Sequence, residues 1–297
     1  MRVAITGAAG TIGGALLRHY VNSGDTVYAI DTNENGLYQL RYMPVVPVLQ
    51  DIAGSNFWHS FYDRNSIDLV INCAAAKQLP IVEAHPFYAY RSNADAVDAI
   101  CDHEDRPPVV HISTDKAVYP VSLYGFTKYI GEEKAKYYGC RIVRLVNVID
   151  SSGSVFEVFR GQIESGGPVT LTDPHMSRYF MALDQAVKDI VTVASTEPGL
   201  YMPVNYDRQP IYDIAKDLIG DKDIKIQVTG IRPGEKIKED LIYQDEVRNP
   251  YTPEIDRIKS PAKIILWGTF EEEKEKALEY GKYNFQRFMW RWVPEKC

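Results

Sequence analysis

Cysteine is scarce in this chain. Only four occur in 297 residues, at Cys73, Cys101, Cys140 and Cys297. They are widely separated, with no CxxC spacing and no neighbouring histidine, so neither a disulfide framework nor a zinc site is expected. The six histidines show no HxxxH or HExxH spacing, so the sequence gives metal catalysis no support. No apolar run approaches the roughly 18 residues that cross a bilayer. A basic excess is also missing: 33 Lys and Arg against 40 Asp and Glu give a net charge of −7, which argues against nucleic-acid binding. The opening residues, MRVAITGAAG, enter a strand pattern without the layout of a signal peptide. With 45% hydrophobic and 25% charged residues, the chain has ample material for a core. The expectation is a cytoplasmic globular protein with no membrane span and no nucleic-acid partner.

No repeat or low-complexity segment occurs. In the first half, short β-rich runs alternate with helical stretches. Strands are predicted at Val3–Thr6, Thr26–Ile30, Val45–Leu49, Leu69–Ala74, Val109–Ser113 and Arg141–Val146. Helices are predicted at Ile12–Asn22, Phe57–Asn65, Phe87–His103 and Leu123–Tyr138. That alternation predicts an α/β fold, a Rossmann-type doubly wound parallel sheet with a smaller C-terminal substrate-binding region. Beyond Val148, turns such as SSGS, ESGGP and GIRPGE interrupt the pattern. Residues 1–148, joined by about 179–205, are expected to form the dinucleotide-binding domain, and 149–178 with 206–297 the substrate region.

The first strand-to-helix junction, TGAAGTIG, carries Gly7, Gly10, Thr11, Ile12 and Gly13 in a GxxGxxG pattern. The glycines suit a tight turn, close approach to a pyrophosphate, and packing of helix on sheet. The helix N-terminus then offers free N–H groups and positive dipole to phosphate. A glycine pattern alone is weak, but here it follows a strand and opens an amphipathic helix. Asp31 closes the second strand at the spacing where an acid binds the adenosine ribose diol and repels a 2′-phosphate. NAD is therefore expected as cofactor, with NADP less favoured. Asp51 and Ile52 are placed beside the adenine, and Ala74, Ala75 and Ala76 where backbone approaches the cofactor.

Tyr124 and Lys128 form a YxxxK pair whose spacing puts phenol and ammonium on one helix face. A cation nearby lowers a phenol's pKa, which would let Tyr124 take a hydroxyl proton near neutrality. Just upstream, Ser113-Thr114-Asp115-Lys116 ends the fifth strand. Thr114 is placed to bond the reacting hydroxyl. Asp115 and Lys116 add an acid and an amine that simple hydride transfer does not need; the plain alternative is a solvated turn.

The sequence resembles the extended short-chain dehydrogenase/reductase family and, more narrowly, the C5-inverting nucleotide-sugar 4,6-dehydratases that act on UDP-N-acetylglucosamine. TGAAGTIG, AAAKQLP (74–80), STDKAVYP (113–120), YGFTK (124–128), VNVIDSSGSV (146–155), TDPHMSRY (172–179) and GIRPGEKIKEDL (230–241) carry the resemblance, which runs from Thr6 to about Ile242. It implies a lyase with a UDP-sugar substrate in polysaccharide biosynthesis. Tyr124, with Lys128 and Thr114, would deprotonate the C4 hydroxyl during oxidation. Lys116, its pKa lowered by Lys77 and Lys128, would take the C5 proton, and Asp115 would assist loss of the C6 hydroxyl. The resemblance also implies cofactor contacts at Asn93 and Val148. It implies substrate contacts at Lys77, Asn147, Phe156, Thr172, Arg178, Arg232 and Glu235, with Arg232 a diphosphate partner. Relatives often carry Ser-Arg at the second strand's end and RYGNV where this chain has Asp31-Thr32 and RLVNV. A 4-epimerase, a 5,6-dehydratase and a non-catalytic NAD-binding regulatory protein remain open. The Phe270–Val293 segment, acidic at its start and basic-aromatic at its end, suits a helix that packs on its own domain or docks elsewhere; a homo-oligomer is expected.

Overall fold

The computed structural model describes residues 1–260. The segment Phe270–Val293, read above as a helix that packs on its own domain or docks elsewhere, lies outside the described residues.

Six strands follow the predicted alternation closely. They are β1 (Arg2–Thr6), β2 (Thr26–Asp31), β3 (Val45–Leu49), β4 (Leu69–Asn72), β5 (Val109–Thr114) and β6 (Arg141–Leu145). Each central strand is rich in Val and Ile and buried on both faces, as a parallel sheet covered by helices requires. They lie in the order β3-β2-β1-β4-β5-β6, all parallel, with the reversal beside β1 that defines a doubly wound fold. Helices α1 (Thr11–Asn22), α2 (Glu34–Gln39), α3 (Ser55–Asn65) and α4 (Leu79–Ala84) connect the early strands. The predicted helix Phe87–His103 is not continuous. It consists of α5 (Pro86–Tyr90), one wide π turn at Arg91–Asp95, and α6 (Ala96–Cys101). The wide turn turns Asn93 inward, where its side chain is buried. The next helix, α7 (Leu123–Tyr137), carries the YxxxK pair.

Beyond β6 the chain alternates between two cores. β7 (Asn147–Val148), α8 (Val155–Glu164), β8 (Val169–Leu171) and β9 (Ser177–Met181) build a second cluster around Phe159, Ile163, Leu171, Met176 and Phe180. The chain then returns to the main sheet through α9 (Leu183–Ala194) and β10 (Gly199–Pro203), which pairs parallel with β6. β11 (Asp207–Pro210), α10 (Ile211–Ile219) and β12 (Ile226–Val228) rejoin the second cluster. Finally β13 (Val247–Thr252) and β14 (Ile255–Lys259) add two antiparallel strands beyond β10. The strands of 206–260 that the pattern had grouped with the substrate region thus divide between the two cores. The polar, proline-bearing sequence VRNPYT hid an edge strand, where proline is tolerated.

Cys101 and Cys140 meet in the main core as free thiols with sulfurs 3.5 Å apart. No helix among the described residues is long and apolar enough to cross a membrane.

One buried acid sets a stability prediction. Asp189 on α9 accepts a bond from Gln185, but its second oxygen has no hydrogen-bond partner among the described residues, and burial pushes its pKa up to about 6. Its folded-state value therefore exceeds its unfolded one, so stability is lost as pH rises through 6. Asp189→Asn should stabilise the protein at pH 7 by on the order of 1 kcal/mol. The gain should vanish below about pH 4, where both states bind the proton. Thermal melts across that range check it; a gain independent of pH would refute the titration.

Candidate active site

The glycine turn is held by backbone contact. Gly7 has φ of 64°, and a Cβ on Gly13 would lie 2.1 Å from the Gly7 carbonyl oxygen, so α1 can sit this close only without a side chain there. Gly10 caps α1 without any side-chain bond, leaving the helix N-terminus open to an anion. Asp31 is tied to this turn: its carboxylate accepts the N–H of Ala9 at 2.9 Å and of Asn33 at 2.9 Å. A cleft of about 450 Å³, part of it open to solvent, brings together Gly7, Asp31, Asp51, Ile52 and Ala74. Tyr88 and Arg91 line the same cleft, and Arg91 pairs with Asp51 at 2.9 Å. Neither was singled out in the sequence, because each lies in a stretch read as plain helix.

Asn93 is a brace rather than an open contact. Its amide accepts from the Ala76 N–H at 2.8 Å and donates to the Ala76 carbonyl and the Thr127 hydroxyl, both at 2.9 Å. It thereby fixes the loop after β4 against α7. Thr11 also acts across the chain: its hydroxyl accepts the Ser152 N–H at 3.0 Å, and the Lys77 ammonium donates to the Ser152 carbonyl at 2.8 Å. Ser152, hidden in an ordinary SSGS turn, links the glycine turn to a residue predicted to touch substrate.

At the end of β5, Thr114, Asp115, Lys116 and Tyr124 converge. Thr114 donates to Asp115 at 2.9 Å, and the Lys116 ammonium donates to the same carboxylate oxygen at 2.8 Å. The other Asp115 oxygen is buried and accepts no hydrogen bond among the described residues. A Cβ on Gly125 would fall 2.4 Å from the Lys116 carbonyl oxygen, so the glycine inside YGFTK is what lets α7 press against this turn. Tyr124 lies close enough to Thr114 for the hydroxyl to act on its phenol.

The electrostatics depart from expectation at two points. Lys128 was expected to lower the Tyr124 pKa, but the protein's own groups raise it. Burial pushes the phenol well up, and Asp115 and Glu239 add to the rise against the Thr114 hydroxyl. Lys128 is itself buried; its ammonium donates to the Ile112 carbonyl at 2.6 Å, and burial lowers its pKa to about 8. Lys77 and Lys128 were likewise expected to sit beside Lys116. The partners of Lys116 are instead carboxylates, Asp115 at 2.8 Å and Glu239 at 3.7 Å, while Lys77 and Lys128 are engaged elsewhere.

The remaining predicted residues divide. Arg178 reaches the cluster, pairing with Glu239 at 3.5 Å and donating to the Ser177 carbonyl at 2.9 Å. Asn147 donates to the Tyr179 carbonyl at 2.7 Å, and Val148 is buried in the same β7–β9 pairing. Phe156 packs edge-on to Phe180, and the Thr172 hydroxyl contacts the Met176 sulfur at 3.6 Å. Ala75 is exposed. Arg232 and Glu235 bond to each other across an exposed turn, apart from the Lys116 cluster. No group of acids, histidines and cysteines among the described residues could hold a metal.

The profile of the polysaccharide biosynthesis protein family matches residues 3–260. The chain belongs to this family. Capsular polysaccharide biosynthesis protein CapD of Staphylococcus aureus is 33% identical over 310 residues, covering 92% of this chain and 52% of CapD. The chain thus spans about half the length of that relative. A UDP-glucose 4-epimerase of Rickettsia canadensis is 29% identical, covering 98% of this chain and 93% of the epimerase. Among solved structures, Pen from Bacillus thuringiensis superposes with a TM-score of 0.79 at 26% identity, covering 88% of each chain. The extended short-chain dehydrogenase/reductase fold expected from the sequence is the fold of this chain.

Proposed function

We propose that the chain is an NAD-dependent nucleotide-sugar dehydratase that converts UDP-N-acetylglucosamine to a 4-keto-6-deoxy sugar with inverted C5. The observation that carries this reading is the Lys116–Asp115 pair, 2.8 Å apart, beside Thr114 and Tyr124. Oxidation at C4 requires a group to take the hydroxyl proton and an acceptor for hydride. Elimination of water requires, in addition, a base for the C5 proton and an acid for the leaving hydroxyl. The cluster offers proton-handling groups for both steps, and the hydride acceptor would be the dinucleotide.

The cofactor site fits a dinucleotide. The uncapped start of α1 suits a diphosphate, and the Asp31 carboxylate at the end of β2 suits a ribose diol. Its negative charge favours NAD and makes NADP the lesser candidate. When bound, NAD⁺ would accept hydride from C4 and later deliver it to C6. Tyr124, beside Thr114, takes the C4 hydroxyl proton. Transfer of the shared proton from the Lys116 ammonium to Asp115 leaves a neutral amine and a carboxylic acid. The ketone acidifies C5–H, the Lys116 amine removes that proton, and the Asp115 acid protonates the C6 hydroxyl, which departs as water. After hydride reaches C6, a proton added to C5 from the opposite face gives the inverted centre.

A 4-epimerase is the second reading, supported by the near full-length match to the Rickettsia protein. It would use Tyr124 and Thr114 but have no use for Lys116 and Asp115. Incubation with UDP-N-acetylglucosamine and NAD⁺ in D₂O, followed by NMR and mass spectrometry, separates them. The dehydratase should give a product lighter by one water, with deuterium at an inverted C5. A C4 epimer without loss of water would establish the second reading; an unchanged sugar would refute both for this substrate.

A further inference from the structure

Glu239 was not singled out in the sequence, where it sits in the charge-rich run GEKIKEDL. In the fold it is buried, and three cations surround it. Its carboxylate lies 3.7 Å from the Lys116 ammonium, 3.5 Å from the Arg178 guanidinium and 3.7 Å from the Lys236 ammonium. One of its oxygens accepts no hydrogen bond among the described residues. A buried carboxylate is costly unless paired; here the pairing is spread over cations from three parts of the chain.

The segment bearing Glu239 is pinned on the catalytic turn. The Lys236 ammonium donates to the Val118 carbonyl at 2.7 Å, and the Tyr243 hydroxyl donates to the Ala117 carbonyl at 2.7 Å. The Gln244 N–H donates to the Tyr119 hydroxyl at 2.8 Å. These three bonds bracket Glu239 and leave it little freedom relative to Lys116.

We propose that Glu239 is a positioning residue for the elimination step, holding the Lys116 side chain between two carboxylates, its own and that of Asp115. This assignment rests on the dehydratase reading for its catalytic meaning, but not for its physical content. Asp115 contacts the Lys116 ammonium from the residue next to it, a pairing that leaves the rest of the long side chain free to swing. A second carboxylate, supplied from the far end of the sequence, fixes the direction in which the amine points. The same carboxylate links Lys116 to Arg178, so a residue predicted to touch the substrate and the proposed C5 base share one anchor. Displacement of a reacting group by about 1 Å can cost about 100-fold in rate, so this anchor bears on turnover more than on binding.

Two measurements test the proposal. The first needs no substrate: trace acetylation of the lysines with acetic anhydride, read by mass spectrometry and normalised to exposed Lys188. In Glu239→Gln, Lys116 should be labelled about three- to tenfold faster than in wild type, because its side chain, released from one of two carboxylates, is more open to the reagent. Should Glu239→Gln fail to fold, Glu239→Asp carries the same test, since it keeps the charge but withdraws it by one methylene; labelling should rise by a smaller factor. Unchanged Lys116 labelling in the folded variant overturns the proposal. The second is steady-state kinetics on UDP-N-acetylglucosamine. Glu239→Gln should lower kcat by about 30- to 100-fold with KM within about threefold, and Glu239→Asp should recover part of the loss. Loss expressed in KM alone also overturns it. If wild type does not turn over this sugar, the dehydratase reading fails, while labelling still decides whether Glu239 holds Lys116.

Discussion

Tyr124→Phe should lower turnover by about three orders of magnitude, within the range that a positioned proton acceptor contributes. The substitution removes one oxygen and keeps the ring that packs with Val82, Ala89 and Leu123. Folding and dinucleotide binding should therefore stay within about twofold of wild type, since the glycine turn and Asp31 contain no part of the change. The charge pattern sharpens the expectation. Burial, Asp115 and Glu239 all hold the phenol in its neutral form, with only the Thr114 hydroxyl opposing them. Ionisation of Tyr124 is thus unfavourable until positive charge arrives beside it, and wild-type kcat should climb with pH across the neutral range. The residual rate of Tyr124→Phe should be flat over the same range. A variant retaining more than about a tenth of wild-type turnover would remove the phenol from the role of base. Dinucleotide affinity, read by calorimetry, separates lost chemistry from lost binding.

The second large effect concerns stability. Arg144 is fully buried and uses its whole guanidinium: it contacts Glu132 at 2.6 and 3.2 Å, Glu246 at 2.7 and 3.0 Å, and the Leu241 carbonyl at 3.1 Å. Glu132 also accepts from the Ser113 hydroxyl at 2.6 Å. The triad therefore joins α7, β6 and the segment leading into β13. Arg144→Met would leave two buried carboxylates facing each other, and breaking such a group costs about 3–5 kcal/mol. For a chain of this size that is a fall in Tm of about 5–8 °C. The sign of the pH dependence follows from Glu132. Despite its burial, Arg144 and Lys136 hold its pKa far below the usual carboxylate range. A folded value below the unfolded one contributes stability above the ordinary carboxylate pKa and loses it as pH falls. Without Arg144 the two acids would repel and one would take up a proton readily. The difference in Tm between wild type and Arg144→Met should thus shrink as pH is lowered from 7 to 4. An equal difference at both pH values would refute the ionic account.

Much of the main sheet was legible because its signals are local. The strands from β1 to β6 are short Val- and Ile-rich runs bounded by turns, and the helices between them have the ordinary period. The glycine turn and the Asp115–Lys116–Tyr124 group were legible for the same reason: each lies within one turn at the end of a parallel strand. What could not be read was pairing at a distance. Glu239 sits in a charge run that looks like a solvated face, and only the fold sets it against Lys116. Ser152 meets Thr11 and Lys77 across 141 and 75 positions of chain. The Tyr124 environment was misjudged on similar grounds, since helical spacing revealed Lys128 but not the acids approaching from other elements. The break at Arg91–Asp95 was missed because a π turn leaves the composition of a helix unchanged.

The chain passes between its two cores four times: after β6, before α9, after β10 and before β13. Each passage is a covalent tether, and tethers at several places restrict how far one body can drift or rotate against the other. Arg178 lies on the β9 side of this divide and Tyr124 on the α7 side, so their separation is settled when the protein folds. On the proposed reading, a sugar bound between them would meet groups whose alignment is already fixed, and little of the entropy loss of ordering the site would be left to the encounter itself.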